Sequence, residues 1–338
     1  MRHDLAIDLG TANTVIFQND KMVLDEPSII AVEIRTGNLI AVGKEAQLME
    51  DHTNPGIETI RPLMNGVIAD YDAAENMLSG FIRKALGKKS RTLFAPKLKI
   101  VVGLPGGGTK VDMRSIRDSA EHAGAHELYL IYEPMASAIG MGLEVMKPMG
   151  NMVVDIGGGT TEIAVITLGG IAESSSIHVA GNEITSDIID HMAQQHNIHI
   201  GRTTAEKIKF AVGSVLTELP PEEEPQPFIV RGKNLVTAHP VEAEITYSEI
   251  ALCIDKTISK IESEIHKVLQ RTPPELYSNI VENGIWLAGG GSLLLGIAKR
   301  FSDKLSIDFH VGEDPLKAVA RGTCVALKHT DDFKFLIR

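Results

Sequence analysis

Two loops rich in glycine and threonine hold the residues best suited to chemistry. Residues 8–14 follow the apolar run 5–7, and residues 155–162 follow the apolar run 152–154. A further apolar run comes after each loop, so each segment is predicted to be a strand ending in an aspartate, a turn of small residues and a returning strand. Because the chain makes the same device twice, it is predicted to contain two related halves that face each other.

The composition of these loops suits phosphate binding. Glycine lets the backbone approach phosphate oxygens closely, and consecutive backbone N–H groups form an anion-binding nest. Asp8 and Asp155 end the two strands and are predicted to hold the waters of a Mg²⁺ ion, one from each half. Either loop alone would be better interpreted as a hairpin with a glycine turn. The pair favours a site that grips one nucleotide from both sides.

A third glycine cluster occupies residues 289–292, between a predicted strand and a predicted helix. We interpret it as a shelf for adenosine, because a helix N-terminus attracts anions and glycines let a flat ring lie over the backbone. Without the other two loops, a tight strand–helix connection would be preferred. A similar run at residues 106–108 is interpreted as a turn. No P-loop or Rossmann pattern occurs in its required context.

Length and composition exclude several classes of protein. A chain of 338 residues favours two domains or a bilobal fold. The net charge of −11 disfavours wholesale nucleic-acid binding. Only Cys253 and Cys324 occur, so neither a disulfide framework nor a cysteine-rich zinc site is expected, and a reducing cytoplasm fits. We also expect no signal peptide and no membrane-spanning segment.

The order of elements predicts an α/β fold with mixed sheets, since antiparallel strands are followed by alternating strands and helices. A helix is predicted to start at Asp70 and to end at Gly87. Thr246 and Glu249 predict a capping box that opens a long helix. That helix has one apolar face, predicted to be core: Ile250, Ile254, Ile258, Ile261, Ile265 and Val268. His196 and His199 are interpreted as a solvated helix end, because no carboxylate cluster lies near them in the sequence.

The three loops, in this order, resemble those of the actin-like ATPases, the superfamily shared by actin, heat-shock chaperones and sugar kinases. Within it the chain is similar to the MreB family of bacterial rod-shape cytoskeletal proteins over nearly its whole length. The resemblance also rests on residues 61–70, 117–125, 133–140, 204–209, 273–276 and 314–322. It implies an actin-like bilobal ATPase fold of two duplicated ribonuclease-H-like lobes with mixed sheets, and a nucleotide in the cleft between them.

The resemblance also implies the lobes and their boundaries. Lobe I is expected to comprise residues 1–144 and 312–338, with a small subdomain at about 33–66. Lobe II is expected to comprise residues 145–311, with a small subdomain at about 184–245. The alternative on the same fold is a small-molecule kinase of the sugar-kinase type, which would need a further substrate pocket with its own catalytic aspartate.

ATP and Mg²⁺ are the implied ligands, with slow ATP hydrolysis coupled to polymerisation. Glu133 matches the acid that positions the attacking water, with help from Thr160, although an acidic residue in a first helical turn is equally compatible with dipole stabilisation alone. Asp8 and Asp155 match the metal-water ligands. The remaining implied contacts are phosphate loops at Thr11, Ala12, Asn13, Gly157, Gly158 and Gly159, ribose and base contacts at Glu206, Lys207, Ile208 and Lys209, and an adenosine loop at Gly290, Gly291, Ser292 and Leu293.

A basic segment at residues 83–99 stands out in this acidic chain. Leu93 and Phe94 lie in its middle, ringed by lysine and arginine, which fits shallow insertion into an anionic bilayer. Packing of both side chains into the core is the alternative, and the resemblance favours insertion. The implied partners are further copies in a filament, the membrane surface, and the membrane proteins of rod shape and wall synthesis, with no nucleic acid. The implied location is the cytoplasmic face of the cell membrane.

Overall fold

A computed structural model of the chain describes residues 2–50, 54–87 and 97–338. The strands are β1 Arg2–Leu9, β2 Asn13–Gln18, β3 Lys21–Pro27, β4 Ile30–Glu33, β5 Leu39–Val42, β6 Ile57–Ile60, β7 Leu63–Met64, β8 Val67–Ile68, β9 Lys97–Leu104, β10 Ala125–Tyr132, β11 Asn151–Ile156, β12 Thr161–Thr167, β13 Gly170–Ile177, β14 Ile198–His199, β15 Phe228–Asn234, β16 Pro240–Ile245, β17 Ile285–Ala288 and β18 Phe309–Val311. The α-helices are α1 Lys44–Glu50, α2 Tyr71–Leu86, α3 Lys110–His122, α4 Glu133–Gly140, α5 Gly181–Gln195, α6 Arg202–Val212, α7 Tyr247–Arg271, α8 Pro274–Asn283, α9 Ile297–Leu305 and α10 Ala318–Lys328.

Two large sheets repeat one topology. The first has the order β3-β2-β1-β9-β10 and the second has the order β13-β12-β11-β17-β18. In both, three antiparallel strands are followed by two strands that run parallel to the first. Asp8 pairs with Val15 in the first sheet, and Asp155 pairs with Glu162 in the second. The predicted duplication is therefore confirmed down to the spacing of seven residues across each loop.

Two three-stranded sheets accompany the large ones, besides the short pair of β7 and β8. Strands β5, β4 and β6 form one, and strands β14, β15 and β16 form the other. The antiparallel strands that open the chain do not all stay in one sheet, because β4 and β5 have left the large sheet. Pro27 is the last residue of β3 to pair with β2, and proline has no N–H to extend such a ladder. The small sheets fall near the expected small subdomains, and the exact lobe boundaries stay a prediction.

The two large sheets meet on a shared layer of helices. Buried residues of both sheets, including Val101 and Val153, belong to one apolar cluster with α4 and α10. These helices cross so closely that a Cβ on Gly140 would lie 1.9 Å from the carbonyl oxygen of Ala318. A Cβ on Gly322 would likewise lie 1.8 Å from the carbonyl oxygen of Ala136. The layer therefore depends on glycine at the crossing.

Most of the predicted helix signals are confirmed. Asp70 caps α2, accepting from the N–H of Ala73, and the whole predicted apolar face of α7 is buried. The helix expected directly after residue 292 begins only at Ile297, because Leu294 is extended and Gly296 takes a left-handed conformation (φ 77°). In the described ranges, no helix combines the length and apolar character needed to cross a bilayer.

Candidate functional site

A cleft of about 1120 Å³ lies between the two halves of the molecule. It is lined by the turns that follow β1 in the first large sheet and β11 in the second. Sixteen of the predicted site residues line it: Asp8, Thr11, Ala12, Asn13, Glu133, Asp155, Gly157, Gly158, Gly159, Thr160, Glu206, Lys207, Lys209, Gly290, Gly291 and Leu293. Residues from both halves therefore share one concave site, which is the usual form of a small-molecule site.

The two glycine and threonine loops face each other directly. A Cβ on Gly158 would lie 2.8 Å from the Ala12 methyl group. A Cβ on Gly159 would lie 2.9 Å from the Thr11 side chain and from the Cα of Asn65. Thr11 Oγ1 also accepts the N–H of Gly66 at 3.1 Å, which brings the β7–β8 turn to the same place. Positions 158 and 159 therefore have room only for glycine.

The backbone of the second loop is arranged for an anion. The N–H groups of Gly181 and Asn182, at the start of α5, donate to the carbonyls of Gly157 and Gly158 at 3.1 and 2.7 Å. Within the described part of the chain, the N–H groups of Gly158 and Gly159 have no hydrogen-bond partner. The helix thus takes up the loop carbonyls and leaves amide donors for a bound group.

The first loop is held in the same way. Ser28 donates its Oγ to the carbonyl of Gly10 at 2.6 Å and its N–H to the carbonyl of Ala12 at 2.9 Å. The Ser28 hydroxyl also contacts Thr14 Oγ1 at 2.9 Å, and both of these side chains are fully buried. The sequence did not single out Ser28, because it lies 18 residues from Gly10 and the contact follows from folding of β3 onto β2.

Three carboxylates crowd the floor of the cleft. Burial, together with the charges of Asp155 and Asp25, raises the pKa of Asp8 to about 8. Burial raises the pKa of Asp155 to about 6, although a hydrogen bond from Ser137 opposes the rise. Burial and the charges of Asp8, Glu162 and Asp155 raise the pKa of Glu133 well above its usual range. A divalent cation would relieve this mutual repulsion, so the donor set fits Mg²⁺ held by few carboxylates and its own waters.

A fourth carboxylate joins the two halves. Glu162 Oε1 accepts from Ser176 Oγ at 2.6 Å, and Glu162 Oε2 accepts the N–H of Gly106 at 3.0 Å. Burial raises the pKa of Glu162, with the hydrogen bonds opposing the rise. The Gly106 loop follows β9 of the first sheet, whereas Glu162 lies in β12 of the second. The turn predicted at residues 106–108 is present and lies against this carboxylate.

The predicted ribose and base residues form a fixed group on α6. Lys209 Nζ lies 2.9 Å from Glu206 Oε2 and donates to Thr185 Oγ1 at 2.9 Å and to the carbonyl of Gly181 at 3.1 Å. Burial lowers the pKa of Lys209, although Glu206 opposes the decrease. Phe210 is 80% exposed and lines the cleft beside this group. An aromatic residue directly after the matched segment was the signal that would have identified it.

Two predicted residues lie elsewhere. Ile208 is fully buried in the core of the second half, on the opposite side of α6. Ser292 is buried, and its hydroxyl donates to the carbonyl of Gly289 at 2.7 Å within the turn. Neither side chain lines the cleft. Leu93 and Phe94, predicted to insert into a membrane, lie outside the described residues.

Comparison with known proteins places the chain. The MreB/Mbl protein family matches residues 2–335. The cell shape-determining protein MreB of Escherichia coli (strain K12) is 42% identical, over 97% of this chain and 94% of the relative. Mbl of Bacillus subtilis (strain 168) is 39% identical, over 97% of this chain and 96% of the relative.

Solved structures agree with this assignment. MreB5 of Spiroplasma citri bound to AMPPNP superposes with a TM-score of 0.89 at 33% identity, covering 98% of this chain and 97% of that chain. A MamK double helical filament superposes with a TM-score of 0.80 at 20% identity, covering 98% of this chain and 99% of that chain, which shows the fold alone. The chain therefore belongs to the MreB/Mbl family and has the actin-like fold.

Proposed function

We propose that this protein binds ATP with Mg²⁺ in the cleft and polymerises into filaments that lie on the inner face of the cell membrane. There they would scaffold cell-wall synthesis and maintain rod shape. The observation that carries the proposal is the opposition of two equivalent loops, each following a strand-end aspartate, Asp8 or Asp155. The curated relatives are named for cell shape, and the Spiroplasma relative was solved with a nucleotide analogue.

The phosphates would be held by the backbone of both loops. Gly158 and Gly159 supply amide donors without internal partners among the described residues, and Thr11 and Asn13 supply side-chain donors from the other side. Mg²⁺ would be held through water by Asp8 and Asp155, and when bound it neutralises charge on the phosphates. Glu206 and Lys209 would frame the ribose and base, with Gly290 and Gly291 under the adenosine.

Hydrolysis would be slow and would depend on residues that position water. Glu133 opens α4 and is partly exposed to the cleft, one turn before Ser137, whose hydroxyl donates to Asp155. Burial and the charges of the surrounding acids raise the pKa of Glu133 and favour its protonated form, so its proposed role is to orient a water molecule by hydrogen bonding rather than to remove its proton. Thr160 is buried, its side chain forms a hydrogen bond with Glu162, and it would help to position that water.

Assembly and membrane binding would be coupled. Closure of the lobes around ATP would favour the subunit contacts of the filament, and the basic segment with Leu93 and Phe94 would insert weakly from each subunit. Many weak insertions along one filament sum to firm attachment. Membrane proteins of rod shape and wall synthesis would then bind the attached filament.

Light scattering and electron microscopy of the purified protein test this proposal. We expect filaments with ATP and Mg²⁺, also on an anionic lipid monolayer, and none after chelation of Mg²⁺. The Leu93→Ser, Phe94→Ser double variant should lose liposome binding while still binding ATP. A well-folded protein that hydrolyses ATP only with a sugar, and never forms filaments, would overturn the proposal.

A further inference from the structure

Metal-ligating side chains gather away from the cleft, where the end of α5 meets the start of α7. His191 Nε2 and His196 Nε2 lie 2.6 and 2.5 Å from the same atom, Oε1 of Glu249. One ligand atom from each residue lies within 4.8 Å of the other two, a closeness that no other group of three such side chains reaches in the described ranges. The sequence had associated His196 with His199 and had found no carboxylate near them, because Glu249 is 53 residues away.

The end of α5 brings the two histidines together. They are five positions apart, which would place them about 140° apart around a continuous helix. The helix ends at Gln195, however, and Asn197 takes a left-handed conformation (φ 55°). His196 is the cap residue of α5, its N–H still donates to the carbonyl of Met192, and both imidazoles reach the same carboxylate of Glu249. The two imidazole rings lie edge to face with their centroids 5.9 Å apart.

The side chain of Glu249 does not complete the capping box at the start of α7 and contacts the two histidines instead. Thr246 caps α7 by accepting the N–H of Glu249 at 3.3 Å. In a full capping box the glutamate side chain would return to the N–H of the cap residue. Here the carboxylate is directed to the two imidazoles instead, so the predicted capping box is only half formed.

The two helices are held in register below the site. Cys253 Sγ donates to the carbonyl of Asp187 at 3.4 Å, and Thr257 Oγ1 donates to Asp187 Oδ2 at 2.5 Å. One turn further, Lys260 Nζ lies 3.4 Å from Glu183 Oε1. Residues later in α7 contact residues earlier in α5, so the two helices are antiparallel. The three ligand side chains therefore project from elements whose relative position is fixed.

Two imidazole nitrogens and one carboxylate oxygen form a donor set that suits Zn²⁺ and similar transition metals, whereas Mg²⁺ prefers oxygen alone. The side chains are 18%, 24% and 25% exposed, so solvent reaches them and can supply a fourth ligand. Ligand atoms in a tetrahedral zinc site are about 3.3 Å apart, so the two distances from the imidazole nitrogens to Glu249 Oε1 need to open by less than about 1 Å.

We propose that His191, His196 and Glu249 bind a divalent transition-metal ion such as Zn²⁺, which ties the end of α5 to the start of α7. The other end of α5 holds the carbonyls of the Gly157 and Gly158 loop. A helix of fifteen residues spans about 22 Å, so the metal would fix the far end of the helix that supports the phosphate loop.

Zinc binding to the tag-free full-length chain tests the proposal. Equilibrium dialysis against Zn²⁺, followed by metal analysis, should give one tightly bound ion per chain, and Co²⁺ should give the intense visible bands of four-coordinate geometry. The His191→Gln and His196→Gln variants should bind Zn²⁺ about tenfold more weakly or worse. His199→Gln removes an exposed histidine nearby and should bind as the parent does.

Thermal unfolding separates ligation from folding. Zn²⁺ should raise the Tm of the parent and of His199→Gln, and should leave the Tm of His191→Gln unchanged. In EDTA the Tm of His191→Gln should equal that of the parent, since glutamine keeps a hydrogen bond to Glu249. If the Tm of His191→Gln is lower than that of the parent in EDTA, Glu249→Gln replaces it in the same measurement. Equal zinc binding in parent and ligand variants, or no stoichiometric binding in the parent, would overturn the proposal.

Discussion

Glu162 accepts the backbone N–H of Gly106 at 3.0 Å, so a carboxylate of the second sheet holds a loop of the first. By the internal repeat, Glu162 occupies the position that Val15 occupies in the first sheet, opposite the strand-end aspartate. The duplication alone does not require an acid there. Its burial is offset by hydrogen bonds from both halves, so Glu162 links the two halves beside the cleft, close to Glu133 and Asp155.

Replacing Glu162 should lower the rate of ATP turnover and leave ATP affinity nearly unchanged. We expect Glu162→Val, which restores the residue of the other half, to lower ATP turnover about tenfold, because one charged hydrogen bond that sets the Gly106 loop is lost. ATP affinity should change by less than about threefold, since Glu162 does not line the cleft. Steady-state turnover and calorimetric titration measure the two effects.

Two further variants serve as controls for that measurement. Glu162→Gln keeps an acceptor for Gly106 and should recover most of the turnover, whereas Glu121→Val on the exposed face of α3 should have no effect. Parental turnover in Glu162→Val would show that Glu162 has no part in positioning.

The crossing of α4 and α10 makes a second prediction. Gly140→Ala and Gly322→Ala should each lower the free energy of unfolding by about 1–3 kcal/mol or more, because the added methyl group meets backbone carbonyls that cannot yield easily. Urea denaturation followed by circular dichroism measures the loss. Gly170→Ala, whose added Cβ would lie an ordinary 3.6 Å from the nearest atom, is the matched control. Equal stability of all three variants would contradict the close approach.

Local signals in the sequence predicted much of this fold. Asp70 and Gly87 bracket α2, and the spacing of isoleucines along α7 identified its buried face, because caps and apolar periodicity act within a few residues. The hairpin of β15 and β16 was not predicted. Its strands lie in a small sheet and alternate between exposed and half-buried residues, so few apolar side chains mark them.

The cleft should make stability depend on pH. The pKa of Asp8 is raised to about 8 from a usual value of 3.8, so between these values the folded state keeps a proton that the unfolded state has lost. Stability should therefore fall as pH rises, by roughly 1–3 kcal/mol between about pH 6 and pH 8. Denaturation in EDTA, without nucleotide, measures this change. Asp8→Asn should flatten the dependence, and an unchanged slope in that variant would contradict the assignment.

The group around Lys209 gives a fourth prediction. Lys209→Met removes the charge shared by Glu206, Thr185 and the carbonyl of Gly181, and leaves Glu206 without its nearest cation. We expect ATP affinity to fall about tenfold or more, since hydrogen bonds to charged groups contribute about 1.5–3 kcal/mol. A fluorescent ATP analogue reports the affinity. Lys304→Met, exposed on α9, should bind as the parent does, and parental affinity in Lys209→Met would rule the role out.

Contacts between distant segments are what the sequence did not predict. The loops with Asp8 and Asp155 were found because each carries its chemistry within eight residues. The hydrogen bond between Glu162 and Gly106 was not predicted, since the two residues lie 56 positions apart in the sequence. The hydrogen bond that Ser137 donates to Asp155 was not predicted either. Such pairs form only when the two sheets close on the α4 and α10 layer, and no short pattern encodes them.

In the proposed function, the two opposed loops bind one nucleotide together with Mg²⁺. Isothermal titration calorimetry of the folded full-length chain with ATP tests it most directly. We expect one ATP per chain in the presence of Mg²⁺, with affinity lost both in EDTA and in Gly158→Val, whose side chain would fill the space beside Ala12. Absence of ATP binding by the folded parent, or undiminished binding by Gly158→Val, would contradict it.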